Sequence, residues 1–307
     1  MGRNAYDCLK IAELTPAALV AMRTEMNYRH AYHAGNHADV LKHALLARVV
    51  QYLCQKEKAF GVLDAHAGIG LYDLTSVEAG KTGEWLGGIG KLEEAFAPDV
   101  EAVLQPYRQA LASVNPQDGL QFYPGSPEII LHQLRQHDRL LANELHPADA
   151  ETLRQSYGSE DRLLVLNVDA LQSIKANLPF KERRGLVLID PPYEKTNETA
   201  LVAKMLAEGH KRFATGIFMI WYPITTQSFV DDFLHAIEEL GFGNILRAEL
   251  SIKQIDENSG LSGSGVLIVN PPYTLEADLN ALLPALAQRL GIEGHGRSHI
   301  EWLTPAR

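Results

Sequence analysis

The chain is 307 residues long, with 46% hydrophobic and 21% charged residues, the balance of an ordinary soluble globular protein. No apolar run approaches the ~20 residues a transmembrane helix needs, and two cysteines, Cys8 and Cys54, provide neither a disulfide framework nor a zinc-type pair. A formal net charge of -10 argues against a protein that coats nucleic acid non-specifically, though not against one that grips a short stretch through a local basic patch.

Residues 1–25 carry no strand or glycine-rich signal and read as a leader or as the product of an upstream start codon. Ala17–Met22 is apolar but short and flanked by Glu13 and Glu25, a poor secretory signal. A reducing cytoplasm is the expected compartment. The polar series Tyr28, Arg29, His30, His33, Asn36, His37, Lys42 and His43 reads as the floor of a site. Metal binding is disfavoured there: Gly35 and Asn36 interrupt the histidine spacing, and no Cys or acidic partner falls at zinc spacing. Asn36 predicts a helix N-cap, and Val40, Ala44, Ala47, Val50 and Cys54 follow as one apolar stripe.

Phe60–Leu63 predicts a buried strand running into Asp64-Ala65-His66-Ala67-Gly68-Ile69-Gly70. The βα pattern then lapses over about 73–120, which reads as a helical insertion broken by Pro98 and Pro106. Strands are expected at Leu140–Asn143, Leu163–Val168, Leu186–Ile189 and Ile217–Trp221, and helices at Pro147–Tyr157, Thr196–Glu208 and Ser228–Leu240. This alternation argues for a parallel sheet with helices on both faces. Ile245–Ile252 and Gly265–Val269, with no helix between them, predict a closing antiparallel hairpin. The fold expected is α/β and Rossmann-like, of the S-adenosylmethionine-dependent methyltransferase kind, filling 26–307.

The strongest chemical signal is Asp190-Pro191-Pro192-Tyr193 directly after an apolar strand, where ligands bind in open α/β sheets. An adenine amino group is a weak nucleophile because its lone pair is delocalised into the ring. A carboxylate and a backbone carbonyl that accept its two N–H hydrogens favour the attacking geometry and stabilise developing positive charge. Asp190 and the Pro191 carbonyl supply those acceptors, and Tyr193 a stacking face. A plain Pro-Pro turn is the competing reading. Asn270-Pro271-Pro272-Tyr273 repeats the pattern but follows the last hairpin strand, so it reads as structural. Asp64–Gly70 is not GxGxxG, which disfavours a nicotinamide cofactor. Its glycines allow a cofactor to approach the backbone at Asp64, His66 and Gly68. Glu144 and Asp169 each end a predicted strand, where an acid takes ribose hydroxyls or faces the cofactor's amino group; a helix cap is the alternative for Asp169.

Several blocks in order resemble the RlmJ-type 23S rRNA adenine-N6 methyltransferases: Tyr28-Arg29-His30, His33 through His43, Asp64 through Gly68, Tyr123 through Pro127, Glu144 through Pro147, Arg183 through Leu186, Asp190 through Tyr193 and Lys211 through Gly216. The resemblance implies transfer of one methyl from S-adenosylmethionine, leaving S-adenosylhomocysteine, to one adenine of 23S rRNA, free or in an assembly intermediate. It implies that His43, His66, Ser126, Glu144 and Asp169 line the cofactor site with Lys42 beside it, that Asp190 is the catalytic acceptor, and that Tyr28 lies near the base. Arg29, Arg183 and Arg184, with Lys42, Lys211 and Arg212, are the candidates for holding RNA, and solvated helix ends are their competing reading. A monomer with no membrane partner is expected. The alternatives are a DNA adenine methyltransferase, which shares the four-residue motif, and a non-catalytic RNA-binding protein.

Overall fold

The computed structural model describes residues 29–117, 119–194, 197–255 and 260–304. Residues 1–25, expected above to be a leader, and Tyr28 lie outside them. In chain order the elements are α1 (His37–Cys54), β1 (Gly61–Asp64), β2 (Leu71–Asp73), α2 (Val77–Thr82), α3 (Glu84–Gly87), α4 (Pro98–Val114), β3 (Phe122–Pro124), α5 (Ser126–Gln133), β4 (Arg139–Asn143), α6 (Pro147–Tyr157) and β5 (Leu163–Leu166). There follow α7 (Ala170–Asn177), β6 (Gly185–Ile189), α8 (Glu198–Arg212), β7 (Ile217–Ile224), α9 (Gln227–Glu238), β8 (Ile245–Ser251), β9 (Gly263–Val269), α10 (Leu275–Leu290) and β10 (Arg297–Thr304).

An eight-stranded sheet runs β10-β8-β9-β7-β6-β1-β4-β5. Strands β7, β6, β1, β4 and β5 are mutually parallel, while β9 and β8 continue the edge antiparallel. The expected closing hairpin is therefore not the end. Helix α10 follows it, and β10 pairs antiparallel with β8 as an outer strand. Side chains alternate between two cores. On β6, Leu186 and Leu188 face the core built with α1, α4, α5 and α10, while Val187 and Ile189 face the one built with α7, α8 and α9. Burial on both faces is why these strands read as continuous apolar runs.

Two helical expectations need correction. Helix α1 does not present one apolar stripe. It is buried around its circumference because α4, α5, β7 and β9 all pack on it. Pro106 does not break α4 either. The helix runs through it, and burial of Val100, Val103, Leu104, Tyr107 and Ala110 offsets the lost N–H bond, worth ~1 kcal/mol. Helices α2–α4 all lie between β2 and β3, which pair with each other as a separate two-stranded ribbon. No helix among the described residues is long and apolar enough to cross a membrane.

Candidate active site

Four loops leave the carboxyl edge of the parallel strands side by side. From β1 comes the Asp64–Gly70 turn, from β4 Glu144, from β5 Asp169 and from β6 Asp190. With the start of α1 they enclose a cavity of about 480 Å³, the size of a small-molecule or cofactor site. Lys42, His43, His66, Gly68, Ser126, Glu144, Asp169, Asp190, Pro191, Pro192 and Tyr193 all line it, and exposed Arg29 stands on its wall.

The turn after β1 is bound to its neighbours by polar contacts. Gly68 adopts φ +61°, a left-handed backbone that favours glycine, and a Cβ there would meet the Tyr72 hydroxyl at 2.2 Å. The Gly68 N–H donates to Glu144 Oε2 at 2.8 Å, and the His146 N–H donates to Oε1 at 2.7 Å. Burial raises the Glu144 pKa, opposed by those two amides. The Asp190 N–H donates to His66 Nδ1 at 3.1 Å, joining the β1 and β6 loops. Burial pushes His66 down to about 4, which fits its role as an acceptor. Asp64 lies beneath the floor, fully buried, and does not line the cavity itself. Burial pushes it up to about 7, against the pull of the Ser126 hydroxyl and the His66 amide. Asp169 borders the cavity and also caps α7 through the Gln172 N–H.

Helix α1 supplies the opposite wall. Asn36 caps it as expected, accepting from the Ala38 and Asp39 amides at 3.0 Å each. The cap fixes the phase that turns Asp39, Lys42 and His43 inward. Lys42 Nζ bridges two carboxylates, Asp190 Oδ2 at 2.5 Å and Asp39 Oδ1 at 2.9 Å. Burial alone would push Lys42 down, but the two carboxylates outweigh it and its pKa is raised. Burial alone would push Asp39 up, but His30 and Lys42 outweigh it and hold it well below the usual carboxylate range. Its Oδ2 accepts from the Gly35 N–H and contacts His30 Nε2, each at 2.9 Å. Asp39 is the residue that sequence reasoning missed. Its spacing of three from Lys42 was the available signal.

At the β6 end, Tyr193 has φ +52°, and its hydroxyl donates to the Trp221 carbonyl at 2.9 Å. Its ring meets Trp221 and Phe229 edge-on, centroids 5.7 Å apart in both cases. The second motif is on the other side of the sheet. Because β9 runs antiparallel to β7, Asn270 emerges at the amino end of β7, where its amide donates to the Ala214 and Gly216 carbonyls. It is a structural clamp.

The structure does not bring Arg183 and Arg184 to the cavity. They precede β6, at the edge opposite Asp190, and a strand of this length separates the two by roughly 17–20 Å. Arg184 donates to the Leu53 and Lys58 carbonyls and lies over Phe60. Lys211 and Arg212 close α8 at that same far edge, where Arg212 pairs with Glu208. Among the described residues no group of His, Cys, Asp and Glu is arranged to hold a metal ion.

A family model described as ribosomal RNA large subunit methyltransferase D, RlmJ, matches residues 57–304. The chain belongs to that family. It is similar to ribosomal RNA large subunit methyltransferase J of Escherichia coli (strain K12), 41% identical over 280 residues that cover 91% of this chain and 99% of the relative. The protein of that name from Haemophilus influenzae is 42% identical over 281 residues, again 91% and 99%. The crystal structure of protein LPL1258 from Legionella pneumophila superposes with a TM-score of 0.80 at 31% identity, covering 88% of this chain and 98% of that one. The fold is thus Rossmann-like and the chain is an S-adenosylmethionine-dependent rRNA methyltransferase. The site fits that cofactor: the Glu144 carboxylate, oriented by the Gly68 and His146 amides, keeps further lone pairs for hydroxyl donors, and the cavity it borders continues to Asp190.

Proposed function

We propose that this chain places one methyl group on the exocyclic N6 nitrogen of a single adenine in 23S rRNA, free or within an assembly intermediate. The observation that carries this reading is the Asp190 carboxylate, which borders the same cavity as Glu144 and which, among the described residues, is held on Oδ2 by Lys42. With Oδ2 on the ammonium, Oδ1 is the oxygen offered to the amine, and the Pro191 carbonyl is the second acceptor. Together they draw the nitrogen lone pair out of conjugation and stabilise the positive charge that develops on attack. Tyr193, its hydroxyl tied to Trp221, gives the flipped base a face that does not swing. His43, His66, Gly68, Ser126, Glu144 and Asp169 would hold the cofactor, which when bound supplies an electrophilic sulfonium methyl. The proton leaves after the nitrogen has become cationic, and catalysis is positioning plus charge stabilisation with no covalent enzyme intermediate.

The four-residue motif alone suits DNA adenine as well. The relatives named for ribosomal RNA favour RNA. Of the basic residues weighed for RNA contact, Lys42 is buried between Asp39 and Asp190, while Arg29 is exposed on the cavity wall, which supports a footprint around the mouth rather than along the far edge. The test is methyl transfer from labelled cofactor to large-subunit rRNA fragments. Label recovered as N6-methyladenine, with a drop of about 10²–10³ for Asp190→Ala and retained S-adenosylhomocysteine binding, is the expected result. Equal labelling of duplex DNA, or full activity of Asp190→Ala, would overturn it. A monomer is proposed to act, and a dimer mass by sedimentation would refute that part.

A further inference from the structure

Behind the cavity wall runs a line of three buried polar side chains. His43 Nδ1 lies 2.7 Å from the Tyr123 hydroxyl, which lies 3.0 Å from the Tyr107 hydroxyl. Their relative exposures are 1%, 0% and 0%, so the protons on this line cannot be supplied or taken up by bulk water. The His43 and Tyr123 rings also stack, with centroids 5.6 Å apart and planes at 27°. Tyr107 belongs to α4 and Tyr123 to β3, so the helical insertion and its base reach a residue of α1 that borders the cavity.

Two hydrogen bonds among three groups must share a direction, because each hydroxyl has one proton and a neutral imidazole has one N–H. In one arrangement Tyr107 donates to Tyr123, Tyr123 donates to His43 Nδ1, and the imidazole proton is on Nε2. In the other His43 Nδ1–H donates to Tyr123, Tyr123 donates to Tyr107, and Nε2 is bare. Two observations select the first. His43 Nε2 faces Asp39 Oδ1 at 4.0 Å, and Asp39 is the ionised partner of Lys42 and His30. A bare nitrogen lone pair aimed at a carboxylate is repelled, whereas an N–H is attracted. The second arrangement would also leave the buried Tyr107 proton without an acceptor, at ~1–3 kcal/mol. Burial holds the His43 pKa well below its usual value, so the ring is neutral and the choice of tautomer is a real one.

We infer that Tyr123, backed by Tyr107, is a positioning residue that locks His43 in the Nε2–H tautomer, so that this wall presents a fixed hydrogen-bond donor to an acceptor atom of the cofactor. The ligand half of this inference rests on the cavity being the cofactor site; the tautomer half does not. Both are read with protein carrying ¹⁵N-histidine. Long-range ¹H–¹⁵N correlations on the ligand-free protein should show a protonated, pyrrole-type Nε2 at His43. Tyr123→Phe keeps the stacked ring and deletes the hydroxyl. It removes one of the two supports of the Nε2–H form and leaves Asp39 as the other, so it should raise the minor Nδ1–H population and weaken S-adenosylhomocysteine binding about tenfold, the worth of one ordered donor. Tyr107→Phe, one bond further back, should shift the same signals less and weaken binding by about threefold, and it carries the test should Tyr123→Phe fail to fold. A protonated Nδ1 in the wild type would overturn the lock. An unchanged tautomer in Tyr123→Phe would overturn the role of Tyr123. A changed tautomer with unchanged affinity would overturn the donor role toward the cofactor. No binding of S-adenosylhomocysteine to the wild type would remove the ligand half and the proposed function, while an Nε2–H signal would still uphold the lock.

Discussion

Lys42→Met deletes the ammonium between two carboxylates while nearly preserving side-chain volume. The Lys42 side chain is 5% exposed, and those of Asp39 and Asp190 are 2% and 15%. Removing one member of a buried ion pair costs about 3–5 kcal/mol, because the remaining charge is left without compensation. Two features put this case at the low end. Asp39 keeps His30 and the Gly35 amide, and Asp190 is partly open to the cavity. We expect about 3 kcal/mol, read as a shift of the urea midpoint at constant m. Asp190→Asn should cost less, about 1–2 kcal/mol, because Lys42 keeps Asp39. The double variant no longer opposes two buried carboxylates, so the two losses should fall short of additivity by about 1–2 kcal/mol. Methyl transfer by Lys42→Met should drop by about 10², since Asp190 is no longer held on one oxygen. A loss below about 1 kcal/mol, or coupling within the ~0.5 kcal/mol of independent sites, would refute the bridging role.

Asp64 is pushed up to about 7 from 3.8 by burial. Between those values the folded chain keeps a proton that the unfolded chain has lost. The associated stabilisation is present below about pH 4 and is lost as pH rises through 7. Wild type should therefore lose stability relative to Asp64→Asn by up to about 4 kcal/mol between pH 4 and 8, and a difference that stays flat in paired denaturation curves would contradict the assignment. His66, neutral down to about 4, produces the opposite slope in both proteins and cancels in that comparison. Glu144→Gln sets an amide N–H against either the Gly68 or the His146 N–H, so it should cost ~1–3 kcal/mol of stability and at least about tenfold in S-adenosylhomocysteine affinity by calorimetry. Arg184→Ala should lower stability by about 1–2 kcal/mol through the lost bonds to Leu53 and Lys58, and leave the salt dependence of RNA binding unchanged. A flattened slope would instead put RNA on that edge.

Much of the site was legible because its signals are local. A strand followed by an acid or a glycine turn implies a position at the carboxyl edge, and Asp190, Glu144, Asp169 and Gly68 all arrive there by that rule. The cap at Asn36 was legible for the same reason: the side chain and the amides it satisfies are two and three residues apart. Charge alone carries no such positional signal. Arg183 and Arg184 belong to a matched block in sequence, yet strand direction carries them to the opposite edge from Asp190. Helix α10 and β10 were not read, because docking on the sheet edge, not local pattern, decides where they go.

The sequence by itself determined the α/β architecture, the order of the acidic residues along the carboxyl edge and the placing of Asp190 among them, since each depends on residues close together along the chain. Only the tertiary structure decided what those groups do to one another. Lys42 and Asp190 are 148 positions apart and His43 and Tyr123 are 80 apart. Burial, which no local pattern reports, raises Asp64, depresses His66 and makes the bridge through Asp39 strong, because charges removed from water interact in a medium that screens them far less.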